Sequence, residues 1–335
     1  MTYIIAEAGV NHNGQINLAH KLVDEASKAG VDAVKFQTFT ARSLVTPNTP
    51  KVPYQLNSSS PNESHYEMIK SLELSYEDHI VLKKHCDEIG IDFLSTPYDV
   101  ESAKFLHEKL NVKFFKTASA DIVDLPLQEY IASTNIPSIV SVGMASIEEI
   151  ETVNNIYKKF SNLKPTYLHC VSNYPCSNES LNLRVLTSLI KEFQCPIGYS
   201  DHSLGSTAAI MAIALGAVII EKHFTLDKKL SGPDHAASSD INELTELVKD
   251  IRICNSQLGN TKKEVQKEEL KMRQISRKSL HYSKSFRELH VIRKGDLCLR
   301  RPGYGIYYKD INNLIGKALK EKVEEGQIVE LKDFK

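Results

Sequence analysis

The chain has 335 residues, of which 41% are hydrophobic and 25% charged, so it can bury a large core as two domains or as one barrel with an appendage. A formal net charge of -1 gives no electrostatic footprint for nucleic acid or an anionic membrane. The six cysteines show no C-x-x-C pairing and no regular spacing, which argues against a zinc knuckle or disulfide framework and for reduced thiols in a cytoplasmic enzyme.

Tyr3-Ile4-Ile5-Ala6 follows Met1 so closely that no signal peptide fits before it. Seven more short apolar runs follow: Ala33-Val34-Lys35-Phe36, Asp92-Phe93-Leu94-Ser95, Phe114-Phe115-Lys116-Thr117, Ser138-Ile139-Val140-Ser141, Thr166-Tyr167-Leu168-His169, Pro196-Ile197-Gly198-Tyr199 and Val218-Ile219-Ile220-Glu221. Amphipathic stretches such as 17–29, 76–89, 147–160 and 184–193 lie between them, with apolar residues at three- and four-residue spacing. Continuous apolar strands alternating with helices predict a parallel α/β sheet covered on both faces. Eight such units fit a (βα)8 TIM barrel occupying 1–258. An open doubly wound sheet is the alternative, but no G-x-G-x-x-G follows the first strand. The longest apolar run, 208–220, is too short to span a bilayer.

The second unit carries an insertion, 38–75, rich in proline and serine, which reads as a lid or as disorder. Tyr54, Gln55 and Asn62 are its residues best able to touch a sugar. Residues 259–278 turn strongly charged and read as a solvated linker or helical arm. Residues 279–335 hold several Gly-centred turns between short β-like runs and read as a small β-rich domain. There the Arg300-Arg301 pair is either an anion clamp or a solvated surface pair.

A barrel places its chemistry at the C-terminal strand ends, and polar residues gather there. They are Glu7 and Asn11-His12-Asn13-Gly14, Lys35 and Gln37, Ser95-Thr96-Pro97, Lys116 with Ser119 and Asp121, Ser141 and Gly143, and His169 with Ser172, Asn173 and Tyr174. A single Ser or Asn at such a place serves as readily as a helix cap or turn residue. Lys35, Lys116 and Glu221-Lys222 are harder to assign to turns, because each lies within or directly after an apolar run and needs a buried partner or a ligand. The last two runs end in Ser200-Asp201-His202 and Glu221-Lys222-His223. A strand, a helix and a parallel strand would set both imidazoles on one rim, as a divalent-metal site or as two structural histidines.

Ala6-Glu7-Ala8-Gly9-Val10-Asn11-His12-Asn13-Gly14, Val34-Lys35-Phe36-Gln37, Ser95-Thr96-Pro97, Gly198-Tyr199-Ser200-Asp201-His202, Glu221-Lys222-His223-Phe224-Thr225, Ser231-Gly232-Pro233-Asp234-His235 and Arg301-Pro302-Gly303-Tyr304-Gly305 together resemble the sialic acid (N-acetylneuraminate) synthase family. These are phosphoenolpyruvate-dependent nonulosonic acid synthases with a C-terminal antifreeze-like domain. The resemblance spans essentially the whole chain and implies condensation of phosphoenolpyruvate with an N-acylmannosamine-type sugar, giving a nine-carbon 2-keto acid and phosphate by C–O cleavage. It implies a divalent metal, Mn or Mg, on His202 and His223. Phosphoenolpyruvate contacts carry over to Lys35, Thr96, Lys116, Ser119, Ser141, Ser172 and Ser200. Sugar contacts carry over to Glu7, Gln37, Asp121, Tyr174 and Asp234, with Arg301 reaching in from the other subunit of a domain-swapped homodimer.

Glu7 or Asp201 would then move the proton, with Lys116 beside the reacting anion. Asp121 stands where many members have Glu, and Ser172 where some have Asn. The acceptor therefore stays open between N-acetylmannosamine and 2,4-diacetamido-2,4,6-trideoxymannose, the precursor of legionaminic acid. Rival readings are a class I aldolase with a Schiff base on Lys116 or Lys222, and a carbohydrate- or ice-binding protein built on the C-terminal domain.

Overall fold

A computed structural model describes residues 1–51 and 63–335, so Tyr54, Gln55 and Asn62 lie outside the described residues. The chain forms two compact units, Met1–Gly259 and Asn260–Lys335. In the first, strands and helices alternate: β1 (Tyr3–Gly9), α1 (Ile16–Ala29), β2 (Ala33–Thr38), α2 (Ala41–Leu44), α3 (His65–Ser71), α4 (Tyr76–Ile89), β3 (Asp92–Pro97), α5 (Val100–Glu108) and β4 (Phe115–Thr117). Then come α6 (Leu125–Ser133), β5 (Ser138–Ser141), α7 (Ile147–Phe160), β6 (Thr166–His169), α8 (Val185–Phe193), β7 (Ile197–Asp201), α9 (Thr207–Ala214), β8 (Ile219–His223) and α10 (Ile241–Leu258). The strands pair in parallel in the order β3-β2-β1-β8-β7-β6-β5-β4. β4 packs back against β3, closing the (βα)8 barrel.

Local chemistry sets the helix ends. Ser75 with Asp78, Ser146 with Glu149 and Asp240 with Glu243 form capping boxes at the starts of α4, α7 and α10, each cap worth about 1 kcal/mol. Gly30 terminates α1 at φ 82, a left-handed conformation that favours glycine.

Strand alternation then sorts the side chains into two sets. Ile4, Ala6, Val34, Phe36, Phe93, Val140, Tyr167, Tyr199 and Ile220 face the helices and join the main core. Ile5, Ala33, Leu94, Ile139, Leu168 and Ile219 face inward and form a separate plug inside the barrel. Two residues beyond each plug position, towards the C-terminal strand ends, the inward side chain is polar: Glu7, Lys35, Thr96, Ser141, Cys170 and Glu221. The strand period thus places the site on top of an apolar floor.

The second unit has its own core, including Leu280, Tyr282, Phe286, Leu314, Leu319 and Phe334. Among the described residues its sheet is the antiparallel pair β9 (Ser279–Tyr282) and β10 (Leu297–Arg300), the rest being turns, isolated bridges and short 3-10 helices. In the charged stretch 259–278, helix α11 (Glu269–Ser276) buries no residue. No helix among the described residues is long and apolar enough to cross a membrane.

Candidate active site

A cavity of about 530 Å3 opens at the C-terminal strand ends of the barrel. Its walls include Glu7, Lys35, Gln37, Thr96, Lys116, Ser119, Ser141, Ser172, Tyr174, Ser200, His202, His223 and Asp234, residues gathered from every strand of the sheet or the loops after them.

At its floor lies a buried network of two ammoniums and two carboxylates. Glu7 and Lys35 are direct cross-strand neighbours, and Lys35 Nζ lies 2.7 Å from Glu7 Oε2 and 3.6 Å from Glu221 Oε2. Lys35 also donates to Thr96 Oγ1 at 3.1 Å. Lys116 Nζ lies 3.8 Å from Glu221 Oε1 and donates to Ser141 Oγ at 2.6 Å. Ser200 donates to Glu221 Oε1 at 2.8 Å. These four charged side chains are at most 4% exposed, so the charges must compensate one another.

The two carboxylates differ. Burial pushes Glu7 up to about 7, against the opposing pull of Lys35. Burial also acts upward on Glu221, but the ammoniums of Lys116 and Lys35 outweigh it and hold that carboxyl down to about 2. Burial lowers Lys116, whereas on Lys35 the same burial is outweighed by Glu221 and Glu7 and the ammonium is stabilised. Glu7 is the one member poised to exchange a proton near neutrality.

Beside Lys116 the wall becomes a hydroxyl-lined recess. The backbone N–H of Gly143 donates to Ser119 Oγ at 2.9 Å, and Cys170 Sγ is 3.2 Å from the same oxygen. A Cβ on Gly143 would stand 2.5 Å from Ser172 Oγ and 2.8 Å from Cys170 Sγ. Glycine is therefore what leaves this recess open.

His202 and His223 meet at the mouth with ring centroids 5.6 Å apart, and the Tyr174 ring lies 4.2 Å from one and 5.3 Å from the other. His202 Nδ1 donates to the Val171 carbonyl at 2.7 Å, which fixes the tautomer and leaves Nε2 with a free lone pair. Ser200, 3.2 Å from that Nε2, has its one proton on Glu221. His223 Nδ1 is buried without a hydrogen-bond partner, 3.9 Å from Asp234 Oδ2. Burial lowers both imidazoles, His223 well below its ordinary value. Two neutral rings with unused lone pairs fit a divalent cation. Among the described residues no group of three or more His, Cys, Asp and Glu surrounds one point, so the protein would supply few ligands and leave positions for substrate and water.

Asp201, Asp121 and the Asn11-His12-Asn13 turn are not among the residues that line the cavity. Asp201 faces away from the cavity, because it is one residue out of phase with Ser200 and His202. Its carboxylate is 2.8 Å from Lys222 Nζ and accepts from the Ser203 N–H and hydroxyl at 2.9 and 2.7 Å. Asp201 and Lys222 are thus a buried structural pair, neither a proton carrier nor a Schiff-base lysine. Asp121 sits in a 3-10 turn (Ser119–Val123) behind the lining residues Ala118, Ser119 and Ala120. Its Oδ2 is buried without a partner, and burial pushes the carboxyl up to about 7, with Lys116 pulling the other way. The Asn11-His12-Asn13 turn also stays out of the lining. Asn11 Nδ2 donates to the Phe224 carbonyl at 2.8 Å and so fastens β1 to β8.

Cys170 and Glu221 have no assigned role in the motif reading, and the alternation of the strands is the signal that finds them. Arg301 lies in the second unit and is exposed. Its neighbour Arg300 makes an exposed pair with Glu325 at 3.4 Å, the surface role.

Residues 22–263 match the NeuB family model. The chain belongs to the NeuB family. It is 42% identical to the N,N'-diacetyllegionaminic acid synthase of Legionella pneumophila over 97% of this chain and 92% of the relative. It is 41% identical to the enzyme of the same name from Campylobacter jejuni, over 98% of each. The crystal structure of an N-acetylneuraminic acid synthetase from Leptospira borgpetersenii in complex with citrate superposes with a TM-score of 0.71 at 36% identity, over 81% of this chain and 90% of that one. This NeuB chain is an enzyme, a synthase of the condensing type.

Proposed function

We propose that this NeuB protein condenses phosphoenolpyruvate with the aldehyde of an N-acylated mannosamine-type sugar, releasing phosphate and a nine-carbon 2-keto acid. The observation that carries this reading is a single cavity in which two buried ammoniums and a hydroxyl-lined recess face two neutral imidazoles. Lys35 and Lys116, with Thr96, Ser119, Ser141, Ser172 and Ser200, would bind the phosphate and carboxylate of phosphoenolpyruvate in a preorganised cationic site. Glu7, Gln37, Tyr174 and Asp234 would orient the sugar. Gln37 Nε2 donates to Glu7 Oε1 at 3.2 Å, keeping that carboxyl directed at the cavity.

In the reaction, C3 of phosphoenolpyruvate bonds to the aldehyde carbon, and the sugar oxygen takes a proton. Glu7, with its carboxyl near 7, is placed to give that proton. Water then adds at C2 and loses a proton, and breakage of the C2–O bond expels phosphate and leaves the ketone. A divalent cation, Mn or Mg, held by His202 and His223 would polarise the aldehyde as a Lewis acid. Tyr174 packs against both rings. In this reading Arg301 contacts the sugar from the partner subunit of a domain-swapped homodimer, its exposure leaving the guanidinium available.

The test is phosphate release with mass spectrometry of the product. Phosphate equal to sugar consumed, with a product heavier than the sugar by one pyruvate unit, supports the reading. A borohydride-trapped pyruvate adduct on Lys116 would replace it with aldolase chemistry.

A further inference from the structure

Cys170 has no part in the condensation as described, although it lines the cavity. It stands two residues after Leu168 of the plug, so the strand period turns its side chain inward. The thiol is buried and in no disulfide, and burial pushes it above its ordinary value, so it keeps its proton at neutral pH. Three polar atoms converge beside it. A Cβ on Gly143 would stand 2.5 Å from Ser172 Oγ, 2.8 Å from Cys170 Sγ and 3.0 Å from Ser119 Oγ.

The hydrogen bonds of Ser119 can be counted. Its hydroxyl has one proton and two lone pairs. The Gly143 N–H fills one lone pair at 2.9 Å, and Cys170 Sγ is 3.2 Å from the same oxygen. Two arrangements satisfy that second contact. Either the hydroxyl gives its proton to sulfur, a weak acceptor, or the thiol gives its proton to the second lone pair. In the latter the Ser119 proton is released to the cavity that this residue lines. An oxyanion is a far stronger acceptor than a thiol sulfur, so negative charge in the recess selects it.

We propose that Cys170 is a positioning residue for the phosphoenolpyruvate anion: its S–H donates to Ser119 Oγ and so commits the Ser119 proton to the bound oxyanion. It acts through Ser119 without touching the substrate, and the switch needs only the rotation of one O–H and one S–H bond. A buried thiol suits the task because it packs as a small apolar group and still carries a weak donor. This rests on the condensation proposed above and adds a residue that the motif reading leaves without a role.

The experiment measures the dissociation constant of phosphoenolpyruvate alone, by calorimetry. Cys170→Ala should weaken binding about 2- to 10-fold, the worth of one hydrogen bond, whereas Cys170→Ser, which keeps a donor, should stay within about twofold of native. On a Ser119→Ala background Cys170→Ala should add nothing, because the relay is already cut. In the native chain the Cys170 S–H infrared stretch, assigned by difference from Cys170→Ser, should move to lower frequency when phosphoenolpyruvate binds. Native-strength binding in Cys170→Ala, an equal loss in Cys170→Ser, an equal loss on both backgrounds or a stretch that does not move would each overturn the proposal. Should Cys170→Ala fail to fold, the stretch decides alone. Failure of the native chain to bind phosphoenolpyruvate would overturn the condensation itself, an outcome distinct from binding that ignores Cys170.

Discussion

Replacing Lys35 by Met removes one of two cations that compensate Glu7 and Glu221 at 2.7 and 3.6 Å. Removing one partner of a buried ion pair costs about 3–5 kcal/mol, because the remaining charge stays desolvated. Here Glu7 supplies a partial escape. Its carboxyl sits at about 7 in the fold against an ordinary 4.5, so the native state holds a proton that the unfolded chain releases. That contribution is full below about 4.5, declines as pH rises and is lost above about 7. Without the Lys35 ammonium the folded value rises further, and the decline continues into alkaline solution at about 1.4 kcal/mol per pH unit.

The destabilisation of Lys35→Met should therefore be about 3 kcal/mol near pH 6 and widen steadily above pH 7. Adding Glu7→Gln should remove the widening and recover part of the loss. The chain has no tryptophan, so unfolding is followed by far-UV circular dichroism, and amide exchange in β1 and β2 reports on the barrel alone. A loss under about 1 kcal/mol, or one that stays constant between pH 6 and 9, would refute the picture of a mutually compensated network.

His223→Ala should abolish metal-dependent turnover and leave the circular dichroism spectrum intact; normal activity after metal stripping and readdition would contradict the role. Lys222→Met should cost about 3–5 kcal/mol in denaturant unfolding, since it leaves Asp201 buried and unpaired, while kcat of the folded fraction stays near native. Gly143→Ala puts a methyl within 2.5 Å of Ser172 Oγ and should raise the apparent KM for phosphoenolpyruvate at least tenfold with a much smaller effect on the sugar. Arg301→Ala should weaken the sugar more than phosphoenolpyruvate, and equal changes in both apparent constants would count against that assignment.

The barrel was legible because β-branched runs and capped amphipathic helices alternate with little irregularity, and the strand bounds deviate from the apolar runs only at their ends. Lys35, Lys116 and the two histidines were legible because charge or imidazole inside or after an apolar run has few structural uses. Asp201 was misread because adjacency in a motif is not adjacency in space: on a strand, the neighbour of an inward residue points outward. Reading β7 and β8 by alternation separates Ser200, His202, Glu221 and His223 from Asp201 and Lys222 without coordinates. Asp121 is a different case. It lies on a 3-10 turn whose phase no two-residue rule predicts, next to the lining residues Ala118, Ser119 and Ala120. The apolar part of the cavity lining, Val10, Phe39, Leu44, Ile69, Leu72 and Tyr98, has no signal in the sequence for a third reason, since its residues come from four separate segments and none is unusual alone.

The same alternation explains how one sheet can be both core and site. The plug of Ile5, Ala33, Leu94, Ile139, Leu168 and Ile219 excludes water from below, which strengthens every electrostatic interaction in the layer above it. That layer could not hold two ammoniums unless it also held two carboxylates, and the two are not equivalent. Glu221 is fixed by Lys116, Lys35 and the Ser200 hydroxyl. Among the described residues Glu7 has Lys35 and the Gln37 amide, and burial already favours its neutral form. In the proposed reaction an anionic substrate arriving at Lys35 and Lys116 would compete with both carboxylates, and Glu7 would be the one to yield, by taking up a proton. The layer would thus admit negative charge, and the proton gained would lie on the side chain proposed to give it to the sugar.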